Sequence, residues 1–351
     1  MLMAMPAVKA LREQFPKTRI SWLVEGSVGE LLTHQPFIDK VIRFPRSAMV
    51  RALKRGRFLK SKKEMDRFLG TLREDKYDMI LDFHGIIKSA LLSLYVRGGK
   101  RIGFGKMYAK EKSHLFCHEK VEGKDKRLHK VERNMLIPRH VGTDRSVPEL
   151  TLVAPAEAVA YIDRFFESSG IPSPVYAVNP FSSKGSAFKR WDIGRYGQLI
   201  RRIKEEDHAS VIILWGPGEE EDARALRETV GDGAFLSCPT DVPQLLALLR
   251  KMDMYIGGDT GVMHLAAFAG TPVVAVFGPT DVLVNGPYSP RSTVVRKDLP
   301  CSPCKNKKCE KRECLDGITV EDVYGAVLAM KERIGEPACA YSSSIPTSMP
   351  R

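Results

Sequence analysis

Short β-branched runs alternate with amphipathic stretches along nearly the whole chain. ISWLVE (20–25) reads as a strand, GELLTHQ as a helix, and DKVIRFP (39–45) as a second strand. The segment 47–74 has the spacing of a mainly helical region. YDMILDFHG (77–85) is a third strand ending in turn residues, IIKSALLSLYV the helix after it, and RIGFG (101–105) a fourth strand. From 106 to 130 the pattern is charged and irregular and predicts loop, with a helix expected from His129. AEAVAYIDRFFESSG is a helix closed by Gly170, and Pro172 and Pro174 mark a break.

After that break the alternation restarts. VYAVNPF, SVIILWG, AFLSCP, MYIGGD and VVAVFG read as strands, separated by the helices WDIGRYGQLIRRIKEE, EEEDARALRETV, VPQLLALLRKM and GVMHLAAFAG. A last helix is expected from an N-cap at Thr319 to residue 334. Strands joined by helices of this length make parallel sheets, so the expected fold class is α/β with two successive doubly wound halves. We expect an N-terminal domain at 1–155, a C-terminal domain at 172–335 and a disordered tail at 336–351. One element is missing from the pattern. A doubly wound domain opens on a buried strand, yet this chain opens on a helix, PAVKALREQF.

Composition changes this picture little: 43% of the 351 residues are hydrophobic and 28% charged, enough for two cores. No stretch reaches the roughly 20 apolar residues of a membrane helix. Charges come too early at the N-terminus for a signal peptide, so a cytoplasmic location is expected. Net charge adds more. At +13, with a pI near 9.4, the chain calls for an anionic partner: nucleic acid, an acidic membrane surface or a phosphorylated substrate. The charge is concentrated at Arg51, Lys54, Arg55, Arg57, Lys60, Lys62, Lys63 and Arg67. Of seven cysteines, four fall in CSPCKNKKCEKREC (Cys301, Cys304, Cys309, Cys314). That cluster is compact enough for a tetrahedral zinc site, but its spacing is not that of two separate knuckles. Zinc, reduced thiols and a disulfide all remain open.

Candidate chemistry lies where strands run into helices, since open α/β sheets bind ligands beyond the carboxyl ends of their strands. At MYIGGD–TGVMHLAA, Asp259 or Thr260 can cap the helix. Gly261, Val262 and Met263 bring free amides to an anion, and His264 sits near the helix start. At NPFSSKGSAFKRW, the hydroxyls of Ser182, Ser183 and Ser186 together with Lys189 suit a diphosphate. At WGPGEEEDARAL, Glu220 or Glu221 can accept ribose hydroxyls. Neither G-x-G-x-x-G nor a P-loop is present, which disfavours a nicotinamide cofactor and P-loop hydrolysis.

GGDTGVMHLAAFAGTPVVAVFGPT, with KRW at 189–191, WGPGEEE, YDMILDFHGIIKSALL, HKVERN at 129–134 and the CSPC segment, resembles the bacterial lipopolysaccharide heptosyltransferases, glycosyltransferase family nine. The resemblance runs from Leu2 to about residue 334. It implies a GT-B fold, two Rossmann-like doubly wound domains facing across a cleft. The C-terminal domain would hold ADP-heptose and the N-terminal domain the inner-core (Kdo-lipid A) acceptor of lipopolysaccharide. Asp259 and Thr260 to His264 would cradle the diphosphate, Lys189 would assist the leaving group, and Glu220 or Glu221 would hold the ribose. Transfer would invert the anomeric carbon by direct displacement, with no metal and no cofactor. Arg51, Lys54, Arg55, Arg57 and Lys60, with Asp82, His84 and Lys88, would meet the acceptor. The basic helix would also favour an anionic bilayer, placing the enzyme peripherally at the inner face of the inner membrane. DFHGIIKS leans toward the enzyme that adds the first heptose. Asp82 has an equally good structural use, capping the next helix.

The chain also departs from that family. Members begin with a buried strand and a loop ending in Gly-Asp, whose aspartate is the proposed catalytic base. Here Leu2–Pro6 fits the helix that follows, so Met1 stands just after the aspartate's position. A misplaced start would explain this, with in-frame upstream DNA encoding an apolar run and Gly-Asp. A chain that is really this short should show little transferase activity and a weakened N-terminal domain. Glu25 is the candidate substitute base. Two rival readings are a nucleotide-sugar epimerase on the same scaffold and a basic nucleic-acid-binding protein. The second lacks any recognised motif or aromatic platform, so no nucleic-acid partner is expected.

Overall fold

The computed structural model describes residues 1–335 apart from Ser27 and Lys305, so the tail expected at 336–351 lies outside the described residues. The chain divides after Val153 into two compact units. In order, the first contains α1 (Met5–Gln14), β1 (Ser21–Glu25), α2 (Gly29–Thr33), β2 (Lys40–Phe44), α3 (Arg46–Lys54) and α4 (Phe58–Glu74). It continues with β3 (Lys76–Asp82), α5 (Ile87–Ser93), β4 (Arg97–Phe104), β5 (Glu119–Val121) and α6 (Lys130–His140). Its strands form two parallel sheets, β1–β2 and β3–β4–β5.

Each difference from the expected elements has a local cause. The 47–74 helix is broken at Gly56, whose φ of +68° turns the chain between α3 and α4. Strand β4 begins four residues early, at the polar RGGK stretch, because its pairing with β3 starts at Arg97 and runs to Gly103. Strand β5 lies inside the expected 106–130 loop, and its three residues are too few and too polar to register as a pattern. HKVERN is largely structural. His129 Nδ1 accepts from Val131 N to cap α6, and Asn134 Nδ2 donates to the Met3 carbonyl at 2.8 Å. Arg133 lies over the rings of Phe104 and Tyr108, and burial lowers its pKa.

The second unit contains α7 (Ala156–Ser169), β6 (Val175–Asn179), α8 (Ile193–Glu206), β7 (Ser210–Ile213), α9 (Glu220–Val230) and β8 (Ala234–Leu236). Then follow α10 (Val242–Arg250), β9 (Met254–Gly258), α11 (Gly261–Ala269), β10 (Val273–Val276), α12 (Val282–Asn285), β11 (Ser292–Val295), α13 (Glu313–Asp316) and α14 (Val320–Gly335). Helix α7 falls in this unit, ahead of the break expected at Pro172, because it packs on α10 and Tyr161 donates to the Pro239 carbonyl. Gly170 closes it in the left-handed conformation, as expected. The cap at Thr319 is reciprocal: Asp322 N donates to Thr319 Oγ1 and Thr319 N to Asp322 Oδ2.

All six strands of this unit are parallel, in the order β11–β10–β9–β6–β7–β8. The four central strands, β10, β9, β6 and β7, are buried at every position, which is why they read as continuous apolar runs. From β6 the chain winds outward through β7 and β8, then returns to β9 on the other side of β6 and winds out again. The strand order therefore reverses between β6 and β9, where open sheets of this kind bind their ligands.

Candidate functional site

At the carboxyl ends of β6 and β9, Asn179 lies in register with Gly257. Asn179 Nδ2 donates to the Tyr255 hydroxyl at 3.2 Å and to Thr260 Oγ1 at 3.4 Å, and the Tyr255 hydroxyl lies 3.5 Å from the same Oγ1. Full burial pushes the Tyr255 hydroxyl up to about 12, so it stays neutral and available as a donor. Thr260 is thus held in place as the N-cap of α11, and its Oγ1 accepts from Met263 N. The amides of Gly261 and Val262 belong to the first helical turn, where no intrahelical carbonyl can reach them. Only glycine fits at 257, because a Cβ there would stand 2.5 Å from the Tyr255 hydroxyl and 3.0 Å from the Asn179 carbonyl.

Lys189 reaches this helix start from the serine loop. Its ammonium donates to Asp259 Oδ2 at 2.9 Å and to the Asp259 carbonyl at 3.0 Å, and the two side chains are only 20% and 9% exposed. His264 Nε2 lies 3.9 Å from the other carboxylate oxygen, Oδ1. Asp259, Thr260, Lys189 and His264 are therefore brought together at the start of α11.

Sequence reasoning missed the second cation of the loop. Arg190 Nε donates to Ser182 Oγ at 3.1 Å, and its Nη2 bonds both the Ser182 carbonyl and Glu219 Oε1. Glu219 Oε2 in turn accepts from Gly216 N at 3.0 Å. The carboxylate tied into this junction is therefore Glu219. Glu220 pairs with Arg224 one helical turn on, and Glu221 is exposed. Ser183 and Ser186 bond each other at 3.3 Å. No spacing rule would have found the Arg190–Glu219 pair, since its partners are 29 residues apart.

The cysteine segment is fastened to the same loops. Ser302 Oγ donates to the Gly278 carbonyl, Cys304 N to the Pro279 carbonyl, and Arg312 Nη2 to the Arg190 carbonyl. Cys314 is buried, Cys304 half-buried, Cys301 and Cys309 exposed, and all four are free thiols. Burial, and then its three neighbours, push the Cys314 thiol up. Among the described residues, no three His, Cys, Asp or Glu side chains are placed to hold a metal ion.

In the first unit, Asp82 spends its carboxylate on its own turn. Oδ1 accepts from His84 N and Gly85 N, and Oδ2 from Ser89 Oγ. Lys88 bonds Glu25 and lies 4.4 Å from the Phe44 ring centroid, while Arg46 binds the other Glu25 oxygen at 2.6 Å. The Lys88 hydrogen bond, with Arg46 behind it, lowers the Glu25 pKa and makes this carboxylate a weaker proton acceptor. Arg51, Lys54, Arg55, Arg57 and Lys60 are all exposed, on α3, the turn after it and the start of α4.

His84 carries a lowered pKa, chiefly through desolvation, opposed by the Asp82 carboxylate. Its imidazole should accordingly titrate below 6.5 by NMR, and Asp82→Asn should move the midpoint lower still. An upward move would show that the Asp82 charge is not the opposing influence.

The sequence profile of a family described as glycosyltransferase family 9 (heptosyltransferase) matches residues 65–315. Among curated proteins, the lipopolysaccharide core heptosyltransferase OpsX of Haemophilus influenzae is 24% identical over 83% of this chain and 79% of its own length. Lipopolysaccharide heptosyltransferase 1 of Pseudomonas aeruginosa is 26% identical over 87% and 82%. Among solved structures, E. coli heptosyltransferase WaaC with ADP superposes with a TM-score of 0.72 at 21% identity, over 94% of this chain and 95% of that one. A family 9 glycosyltransferase from Veillonella parvula gives 0.79 at 18% identity, over 95% and 94%. The fold is therefore the α/β GT-B fold of these structures.

Proposed function

Because the chain belongs to glycosyltransferase family 9, the heptosyltransferases of lipopolysaccharide core assembly, we propose that it moves heptose from ADP-heptose to the inner-core saccharide on Kdo-lipid A, with inversion. The arrangement that carries this reading is the Lys189 ammonium held at the start of α11, at the point where the strand order reverses. A diphosphate seated there would meet the amides of Gly261 and Val262, the His264 ring and the lysine. The acidic start of α9, Glu220 and Glu221, would take the ribose hydroxyls, with Ser182, Ser183 and Ser186 lining the phosphate side. Relatives crystallised with ADP and with ADP-2-deoxy-2-fluoro heptose support the choice of nucleotide.

In the proposed displacement, an acceptor hydroxyl oxygen attacks the anomeric carbon and its proton passes to solvent water. The bond from that carbon to the diphosphate breaks, and the electron pair leaves with ADP. Charge builds on the departing β-phosphate oxygen, where Lys189 and the helix amides neutralise it without a metal. The acceptor would meet the first unit through Arg51, Lys54, Arg55, Arg57, Lys60, His84 and Lys88, with the enzyme at the inner face of the inner membrane. No helix among the described residues is long and apolar enough to cross a membrane, so peripheral attachment is the form proposed.

Incubating the protein with ADP-heptose and Kdo-lipid A tests the reading by mass spectrometry. The expected result is a lipid heavier by one heptose and an equal amount of ADP. Donor consumed with the lipid unchanged would overturn transfer in favour of donor rearrangement or hydrolysis.

A further inference from the structure

Residues 46–63 hold eight Arg and Lys and no acidic residue. The structure folds them into a corner: α3, a turn at Gly56, and the first turn and a half of α4. Ala52, Ser61, Phe68 and Leu72 face inward, and Phe68 meets Phe44 edge-on at 5.1 Å beside Ile42. The apolar residues at the tip do not take part in that packing. Phe58 is 69% exposed and Leu59 85%, with Leu53 and Val50 behind them at 44% and 41%. Around them Arg51, Lys54, Arg55, Arg57, Lys60, Lys62 and Lys63 are all exposed, and among the described residues only Lys62 of these makes an ion pair, with Asp66. A helix start favours acidic side chains, and α4 has none in its first turn. Crowding cations there is unfavourable until an anionic surface meets them.

We propose that this corner docks on an anionic phospholipid bilayer, with Phe58 and Leu59 entering the headgroup–acyl boundary and the surrounding cations lying against lipid phosphates. A phosphorylated saccharide would account for the cations alone. It gives no use for two large apolar side chains held out in water at the tip of a basic corner. An interfacial site needs both, apolar burial together with attraction to anionic lipid. The inference draws its purpose from the proposed membrane-borne acceptor, but its test contains neither donor nor acceptor.

The test is cosedimentation with vesicles of phosphatidylcholine, or of phosphatidylcholine with about 30% phosphatidylglycerol, the anionic fraction representing the charged cytoplasmic leaflet. Binding is expected to the anionic vesicles and to be weak on the neutral ones. Phe58→Ser/Leu59→Ser should reduce it about tenfold or more at unchanged charge. Lys62→Glu/Lys63→Glu should reduce it by about fivefold or more per residue. Phe58→Trp should gain blue-shifted emission on anionic vesicles only, a readout that does not depend on the serine variant folding. Transfer to a water-soluble acceptor should be unchanged by Phe58→Ser/Leu59→Ser. Failure of the unaltered chain to bind anionic vesicles at low salt would overturn the proposal, as would binding indifferent to both serines. So would a self-association that the serines abolish in a chain that never binds vesicles.

Discussion

Lys189→Ala is expected to lower heptose transfer by about 10²- to 10³-fold, mostly in kcat, because its ammonium is needed most when charge reaches the departing diphosphate. The same change leaves Asp259, 9% exposed, without its ion-pair partner, and should cost up to about 3 kcal/mol of stability. The two effects separate in a double variant. Lys189→Ala/Asp259→Asn removes the uncompensated charge, so the urea midpoint should recover while the rate does not. Recovery of both would show that Lys189 only keeps Asp259 and the helix start in place. A rate unchanged by Lys189→Ala would remove the lysine from the reaction altogether.

Gly278→Ala should destabilise the second unit by about 1–3 kcal/mol through overpacking. Strand β10 ends beside this glycine, and a Cβ there would stand 2.5 Å from Leu315 Cγ and 2.7 Å from its Cδ2. Leu315 is 1% exposed and lies on α13, so it has no open side to move toward. Leu315→Ala alone should cost about 2–5 kcal/mol as a cavity. In that background the alanine at 278 meets no leucine and should cost nearly nothing. Urea midpoints of the four proteins check the cycle, and simple additivity would show that the two residues do not press on each other.

How much of this could be read from the sequence differs between the two units. In the second, β6, β7, β9 and β10 are buried on both faces, so their apolar runs gave both element type and order of appearance. Strand β11, with only one of four residues buried, gave no such run. In the first unit, β4 opens on Arg97-Gly98-Gly99-Lys100, a stretch that reads as turn until β3 is known to lie beside it. The helix-start site was legible because Gly-Gly-Asp-Thr-Gly is local chemistry: cap, close approach and free amides within five residues. Asn179, Tyr255 and the Arg190–Glu219 pair were not, since their roles arise only when β6 meets β9 and the serine loop meets the turn after β7. Asp82, for which the sequence offered acceptor contact and a structural use alike, shows the second of these. Its Oδ1 takes the amides of the turn that follows β3, a use that depends on the turn's conformation and not on residue type alone.

Among the described residues the strands of the first unit fall into two small sheets, so four of the five, β1, β2, β3 and β5, are outer strands, each with a row of main-chain groups facing no described partner strand. Such rows can seed pairing with another molecule. Two of them carry an electrostatic defence: Lys76 on β3 and Lys120 on β5 are exposed and set like charge against like when two copies approach. Salt screens that repulsion within a few ångströms at molar strength. Clumping of this protein would then start from its first unit, and concentrated stocks would keep better in dilute buffer than in brine.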